Sequence, residues 1–169
     1  SALLAKFSRL LIDANRTLQS TTLVRTRADG RRIALNQGLS AADVLARIEG
    51  YWTPYHVAAS ALVASKPDAV VIGVHSFTPE YEGEKRSLEI GVLFDQDEDF
   101  GVWACEQFQA LGLKVALNEP YSGLNGLMYS PQKHASKHAR KTIELEIRQD
   151  LVGDASWRRE WLPAFTKFI

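Results

Sequence analysis

One of the four histidines, His75, ends a continuous apolar run at residues 69–75. This run follows Pro67 and precedes a turn, which predicts a central strand covered on both faces. Ligands bind beside the carboxyl ends of strands in open α/β sheets. A neutral imidazole there is a suitable zinc ligand, so His75 is a candidate metal ligand. The alternative is a strand-end histidine that bonds a main-chain carbonyl, because one histidine alone does not make a metal site.

Two glutamates, Glu144 and Glu146, lie two residues apart within residues 142–148, which predict a strand. Side chains at this spacing share one face of a strand. A carboxylate so placed can act as a general base on a water held by a metal. Apolar residues would fill the opposite face: Ile143, Leu145 and Ile147. The alternation predicts a half-exposed strand bordering a cleft, and a solvated edge strand is the alternative.

Arginines and an amide flank residues 9–13, which predict a short buried strand. Asn15 and Arg16 together could clamp a substrate carboxylate, because a guanidinium binds carboxylates bidentately. A second arginine, Arg9, could polarise a scissile carbonyl and stabilise its oxyanion. The alternative is that these arginines are solvated, and Asp13 could simply hold one of them.

Two other features are less specific. His134 and His138 have a metal-like i, i+4 spacing, but their basic surroundings without a carboxylate favour a solvated basic helix. The loop at 118–126 is rich in turn residues. Its Tyr121 could close over a substrate or pack as a hinge.

Strands that alternate with helices must position these residues. The capping box of Ser40 and Asp43 predicts a helix that Pro54 kinks or restarts and that ends near Ser65. Further helices are predicted at about 98–111, 132–140 and 157–168, and further strands at 88–94 and 113–117. The alternation predicts a three-layer α/β domain, a mixed sheet flanked by helices.

Composition limits the class of protein. The 169 residues predict one domain of residues 1–169 with an ordinary core. Lys plus Arg equals Asp plus Glu at 20 each, which argues against a general nucleic-acid binder but not against a local basic pocket. The single Cys105 excludes an internal disulfide framework and is expected to be a small buried hydrophobe. No apolar stretch is long enough for a membrane span, and without a signal peptide the default expectation is a cytoplasmic enzyme.

The ordered motifs resemble the N-formylglutamate amidohydrolase family across nearly the whole chain. They are SRLLIDANR at 8–16, YWTPY at 51–55, VHSFTP at 74–79, GVLFD at 91–95, PYSG-x-x-G at 120–126 and IELEIRQDL at 143–151. The resemblance implies a zinc-carboxypeptidase-like fold, also similar to aspartoacylases. It also implies hydrolysis of an N-acyl amide, giving formate and glutamate in the type reaction, and a place in histidine degradation.

The same resemblance implies a zinc cofactor and roles for individual residues. His75 resembles the later zinc-ligand histidine, and Arg9 resembles the carbonyl-polarising arginine. Asn15 and Arg16 look like the substrate-carboxylate clamp.

The segment from 146 to 150 is similar to the strand that carries the general base. This favours Glu146 over Glu144 without excluding Glu144. Family members begin with a further strand and a histidine motif that supplies the other zinc ligands, and nothing before Ser8 here can do so. The resemblance therefore predicts an N-terminally incomplete domain, with the other ligands in the missing segment.

The sequence thus predicts a metal-dependent amidohydrolase acting on a small N-acyl amino acid such as N-formylglutamate. Neither a nucleic acid nor a membrane is an expected partner. One alternative is a non-catalytic domain of the same fold that binds a carboxylate ligand. Another is an amidohydrolase that cleaves a peptide or cell-wall amide, because the clamp fits any substrate with a free carboxylate.

Overall fold

The computed structural model describes residues 1–166 of the chain. Its strands are β1 (Arg27–Ala28), β2 (Arg31–Arg32), β3 (Val71–Phe77), β4 (Glu80–Tyr81), β5 (Glu84–Lys85), β6 (Ile90–Leu93), β7 (Val115–Leu117) and β8 (Thr142–Arg148). Its α-helices are α1 (Ala41–Arg47), α2 (Thr53–Ala64), α3 (Glu98–Ala110), α4 (Tyr129–Lys137), α5 (Gln149–Gly153) and α6 (Ala155–Phe165). Short 3-10 helices cover Ala34–Asn36 and Gly123–Asn125, and Ile48–Trp52 is a π-helical turn. Among these described helices, none is long and apolar enough to cross a membrane.

Four strands form the main sheet in the order β3-β8-β6-β7. β3 runs parallel to β8, β8 antiparallel to β6, and β6 parallel to β7. Two small hairpins, β1-β2 and β4-β5, lie apart from it. The predicted mixed sheet flanked by helices is therefore confirmed.

Two strands have environments opposite to those predicted. β3 is an edge strand of the described sheet, where Val74 is 63% exposed, so the prediction of a central strand is wrong. β8 is central, and its residues 142–147 are all buried, so the prediction of a half-exposed strand is also wrong. Glu144 can be buried in β8 because Asn15, from the N-terminal segment, donates hydrogen bonds to its carboxyl, as described below.

The main core lies on the apolar face of β8. Ile143, Leu145 and Ile147 pack there with residues of α3 and α6. Phe108 of α3 meets Phe165 of α6 edge to face, with ring centroids 4.9 Å apart. Cys105 is buried in this core, as expected, and burial raises the pKa of its thiol.

The nearly continuous helical segment from α1 to α2 contributes Trp52 to the second core cluster. The predicted capping box at Ser40 is confirmed, since its side chain accepts the Asp43 N–H while Asp43 accepts the Ser40 N–H. Pro54 lies in the first turn of α2, which follows directly on the π-helical turn. Trp52, in the π-helical turn, packs in a cluster with Ile12 and Leu23.

Residues 9–11 form a turn and residues 12 and 13 have no regular structure, so the predicted strand is wrong. Ile12 is fully buried, so the expectation of burial holds. The main-chain carbonyls of this segment are bonded by side chains: that of Leu10 accepts a bond from Asn36, and that of Leu11 accepts one from Arg47. The N–H of Asp13 donates to the main-chain carbonyl of Leu23 in a loop. The apolar pattern alone could not distinguish a buried loop from a buried strand.

The other predicted elements lie close to their expected positions. Helix α3 ends one residue before the predicted end, and α4 begins three residues before the predicted start. The short helix α5 was not predicted. Helix α6 matches the predicted closing helix, of which residues 167 and 168 lie outside the described residues.

Candidate functional site

The candidate site lies on the face of β8 opposite the main core. Glu146 is the register partner of His75 on the parallel neighbour β3. Glu144 pairs with Gly73 on the same neighbour, and Glu146 pairs with Gly91 on β6. A methyl group at Gly73 would lie 3.0 Å from Oε2 of Glu144, so the absent side chain leaves the room that this carboxyl occupies.

One histidine and two carboxylates converge there. Ligand atoms of His75, Glu144 and Glu146 all lie within 4.8 Å of one another. Nε2 of His75 is 3.4 Å from Oε2 of Glu144. In the described part of the chain, this is the one group of three such residues that could hold a metal ion. The structure thus brings together the predicted metal ligand and both candidate bases.

Glu144 is fully buried and held by an amide from the N-terminal segment. Asn15 Nδ2 donates to both of its carboxylate oxygens, at 3.2 and 3.0 Å. Burial raises the pKa of Glu144 well above its usual value, and the charge of Glu146 raises it further. Burial thus disfavours the charged form of this carboxyl.

Glu146 is also buried, but its bonding is incomplete. Its Oε2 atom has no hydrogen-bond partner among the described residues. Burial raises the pKa of Glu146 to about 7, against the opposing charges of Arg9, Arg16 and Arg86. A buried oxygen without a partner and a pKa near neutrality are properties expected of a general base.

Arg9 is held by Asp13, which is the alternative that the sequence allowed for one of the arginines. Its Nε and Nη2 atoms donate to Oδ2 of Asp13 at 3.2 and 2.7 Å. The other oxygen of Asp13 accepts the main-chain N–H of Asn15 at 2.9 Å. Since Asp13 is buried, this pairing fixes the arginine at one position on the N-terminal segment.

The two residues of the predicted clamp are both bonded to the protein. Oδ1 of Asn15 accepts the Ser130 N–H at 2.7 Å, and its Nδ2 also donates to the carbonyl of Leu127 at 3.0 Å. Nη1 of Arg16 donates to the Asn15 carbonyl at 2.9 Å, and its Nε donates to Thr22 at 3.3 Å. Asn15 therefore positions Glu144, and a direct contact of the clamp with a substrate stays a prediction.

Arg86 is a residue of this site that sequence reasoning missed. It follows the β4-β5 hairpin, and its guanidinium lies over the rings of Phe77, Tyr81 and Tyr121 at 5.6, 4.9 and 5.7 Å. Tyr121 therefore packs beside a charge that acts on Glu146. The cluster of aromatic and charged residues between 77 and 86 was the available signal, but it has no periodicity that distinguishes it from a solvated hairpin.

His134 contradicts the prediction of a solvated basic helix, because it is buried against His56. Nε2 of His134 lies 2.8 Å from Nδ1 of His56, whose Nε2 is 3.1 Å from the carbonyl oxygen of Ala14. A carbonyl can only accept, so His56 donates through Nε2 and accepts the His134 N–H at Nδ1. Burial, followed by the charge of Lys133, lowers the pKa of both histidines to about 4.

This pair predicts a loss of stability in acid. Between pH 6.5 and about 4 the unfolded histidines bind protons that the folded pair cannot. Each should therefore lower the free energy of unfolding by on the order of 2 to 3 kcal/mol at the acid end. Glu146 acts in the opposite direction, because its raised pKa means that the folded state gains protons below pH 7.

A comparison of variants separates the two effects. The free energy of unfolding should be measured by urea denaturation at several pH values for the protein and for His134→Gln. Glu146 contributes equally to both, so the variant should lose less stability than the wild type between pH 6.5 and 4. Parallel curves would contradict the assignment.

Comparisons with known proteins show which proteins this chain is similar to. The model of the N-formylglutamate amidohydrolase family matches residues 1–152. The crystal structure of a gene product from Agrobacterium tumefaciens is similar with a TM-score of 0.81 and 28% identity, over 96% of this chain and 69% of that one. A search of curated proteins found no match.

A second crystal structure is that of N-formylglutamate amidohydrolase from Ralstonia eutropha. Its TM-score is 0.63 at 19% identity, over 85% of this chain and 63% of that chain, and this likeness supports the fold alone. The family model covers most of the chain and includes each residue of the site. The chain therefore belongs to the N-formylglutamate amidohydrolase family.

Proposed function

We propose that the protein is a zinc-dependent amidohydrolase that splits an N-acyl amino acid, such as N-formylglutamate, into a carboxylate and the free amino acid. The observation that carries the proposal is the convergence of His75, Glu144 and Glu146 within 4.8 Å. Two further arginines, Arg9 and Arg16, act on Glu146. Membership of the family supports an amide substrate.

The residues fit the zinc ion that the family implies. An imidazole nitrogen and carboxylate oxygens are donors that zinc accepts, and His75 Nε2 lies 3.4 Å from Glu144 Oε2. The buried Oε2 of Glu146 has no partner among the described residues. His75 would hold the ion beside these carboxyls. The chemistry that such an ion supplies is the activation of water for attack on an amide carbon.

Glu146 is the proposed general base. It would take a proton from the attacking water and pass it to the nitrogen of the leaving amine. Its pKa of about 7 suits both transfers. Glu144 is less suited to this role, because both of its oxygens already accept bonds from Asn15.

Arginines of the N-terminal segment would bind the substrate's negative charge. Arg9 is held at one position by Asp13 and would stabilise the oxyanion that forms as water adds to the carbonyl. Arg16 would hold the carboxylate of the amino acid, with Asn15 behind it. Tyr121 would lie beside the bound substrate.

Metal removal tests this proposal. Formate release from N-formylglutamate should be measured for the purified protein before and after chelation, and its zinc content determined by elemental analysis. We expect chelation to reduce the rate at least about tenfold and added zinc to restore it. A His75→Ala variant should contain less zinc at an unchanged far-UV circular dichroism spectrum.

The possible outcomes separate the candidate functions. Equal rates with and without chelator would overturn the proposed metal dependence. Binding of N-formylglutamate without any turnover by the zinc-loaded protein would favour a non-catalytic binding domain. Faster release from a peptide or cell-wall amide would change the proposed substrate.

A further inference from the structure

We propose that Arg86 selects substrates that carry a second carboxylate, on the side chain of the amino acid that is released. This inference rests on the proposed function and deepens it. Arg86 would bind the side-chain carboxylate, while Arg16 holds the other one. N-formylglutamate carries this second carboxylate, and Arg86 would be the residue that discriminates against its neutral side-chain amide.

Available hydrogen-bond donors distinguish Arg86 from the other arginines of the site. Arg9 donates through two nitrogens to Asp13, and Arg16 donates to two carbonyls and to a hydroxyl. The guanidinium of Arg86 makes a single long contact, 3.4 Å from Nη1 to the carbonyl of Thr78. Its Nε and Nη2 atoms bond none of the described residues, which leaves one edge of the planar group available for a carboxylate.

The main chain of Arg86 is fixed from two directions. Its N–H donates to the carbonyl of Pro79 at 2.9 Å. Its carbonyl accepts Nη1 of Arg148 at 3.1 Å, at the end of the central strand β8. A side chain that starts from a fixed main chain loses less entropy when it binds a ligand.

Aromatic rings surround the charge without neutralising it. Phe77, Tyr81 and Tyr121 contact the guanidinium through their rings, and no carboxylate of the described residues forms an ion pair with it. Rings exclude water on those sides and so strengthen the attraction for an anion. Arg86 is thus a partly buried positive charge beside the proposed reaction centre, without an internal counterion among those residues.

Arg86 and Arg16 reach the site from different segments. Arg16 belongs to the N-terminal segment, and Arg86 follows the hairpin that comes after β3. The charges of both act on Glu146. Two separate positive groups around one base match a substrate with two separate carboxylates better than one with a single carboxylate.

Three related substrates test the inference. N-formylglutamate has both carboxylates, N-formylglutamine has only the α-carboxylate, and the α-amide of N-formylglutamate has only the side-chain carboxylate. We expect Arg86→Gln to lower kcat/KM about 100-fold for the two compounds with a side-chain carboxylate. For N-formylglutamine the change should be less than about threefold. The matched control Lys85→Gln removes an exposed neighbouring charge and should leave all three values nearly unchanged.

Equilibrium binding distinguishes failure of this inference from failure of the proposed function. Calorimetric titration of the three compounds needs no turnover. If the wild type binds N-formylglutamate more tightly than N-formylglutamine and Arg86→Gln abolishes that preference, Arg86 selects the second carboxylate even if nothing is hydrolysed. An equal loss with all three compounds, an unchanged preference, or no preference in the wild type would overturn the inference.

Discussion

Replacing Glu146 with glutamine should lower kcat for N-formylglutamate by about 10²- to 10⁴-fold, because an amide of the same size cannot accept the water proton. The fold should persist. The raised pKa of Glu146 means that its charge is costly in this buried position, so a neutral replacement removes a desolvation cost. The measurement is steady-state formate release together with the urea midpoint of unfolding. A variant that keeps more than a tenth of the activity would rule out Glu146 as the base.

Glu144→Gln is the matched control on the same face of β8. Both oxygens of its carboxyl already accept hydrogen bonds from Asn15, so we expect a smaller loss of kcat than for Glu146→Gln. If the two effects were reversed, the roles of the two glutamates would have to be exchanged. The pair of variants therefore answers a question that the sequence left open.

Replacing Asn15 with alanine should lower the free energy of unfolding by about 3 to 5 kcal/mol. This side chain bonds the carboxyl of Glu144, the carbonyl of Leu127 and the N–H of Ser130. Its removal leaves three polar groups that each lack one hydrogen bond. A buried polar group without its hydrogen bond costs about 1 to 3 kcal/mol. Urea denaturation near neutral pH would measure the change.

The exposed asparagine Asn125 provides the control for this loss. Asn125→Ala should change the free energy of unfolding by less than about 0.5 kcal/mol, as surface substitutions usually do. If Asn15→Ala changed the free energy of unfolding by an equally small amount, water would have to replace the hydrogen bonds that Asn15 makes. Asn15 would then be free to serve mainly as a substrate ligand, as the sequence suggested.

Much of the fold could be predicted because local patterns determine it. The alternation in residues 142–148 predicted β8 with its observed bounds, and Ser40 with Asp43 predicted the start of α1. Local pattern does not give the order of strands in a sheet. For that reason the sequence predicted a central β3 and a half-exposed β8, whereas β3 lies at the edge of the sheet and β8 at its centre.

The site could be predicted only in part, for a related reason. The sequence pointed to His75 and Glu146, which the structure brings together, because each lies in a segment whose pattern predicts a strand, although β3 continues two residues past His75. His56 and Arg86 were missed, since their environments depend on segments distant in sequence: His134 buries the first, and Tyr121 packs on the second. Whether a charge or an imidazole is solvated is decided by such contacts and not by its neighbours in the chain.

The strand β8 has a consequence for how this protein can evolve. It presents Glu144 and Glu146 to the site and alternates them with Ile143, Leu145 and Ile147 in the core. Insertion or deletion of one residue would exchange the two faces, placing carboxylates in the core and apolar side chains in the site. One such insertion or deletion would therefore abolish both the stability of the fold and the proposed catalysis. New substrate preferences must therefore arise in the hairpin and loop that carry Arg86 and Tyr121, where insertions leave this register unchanged.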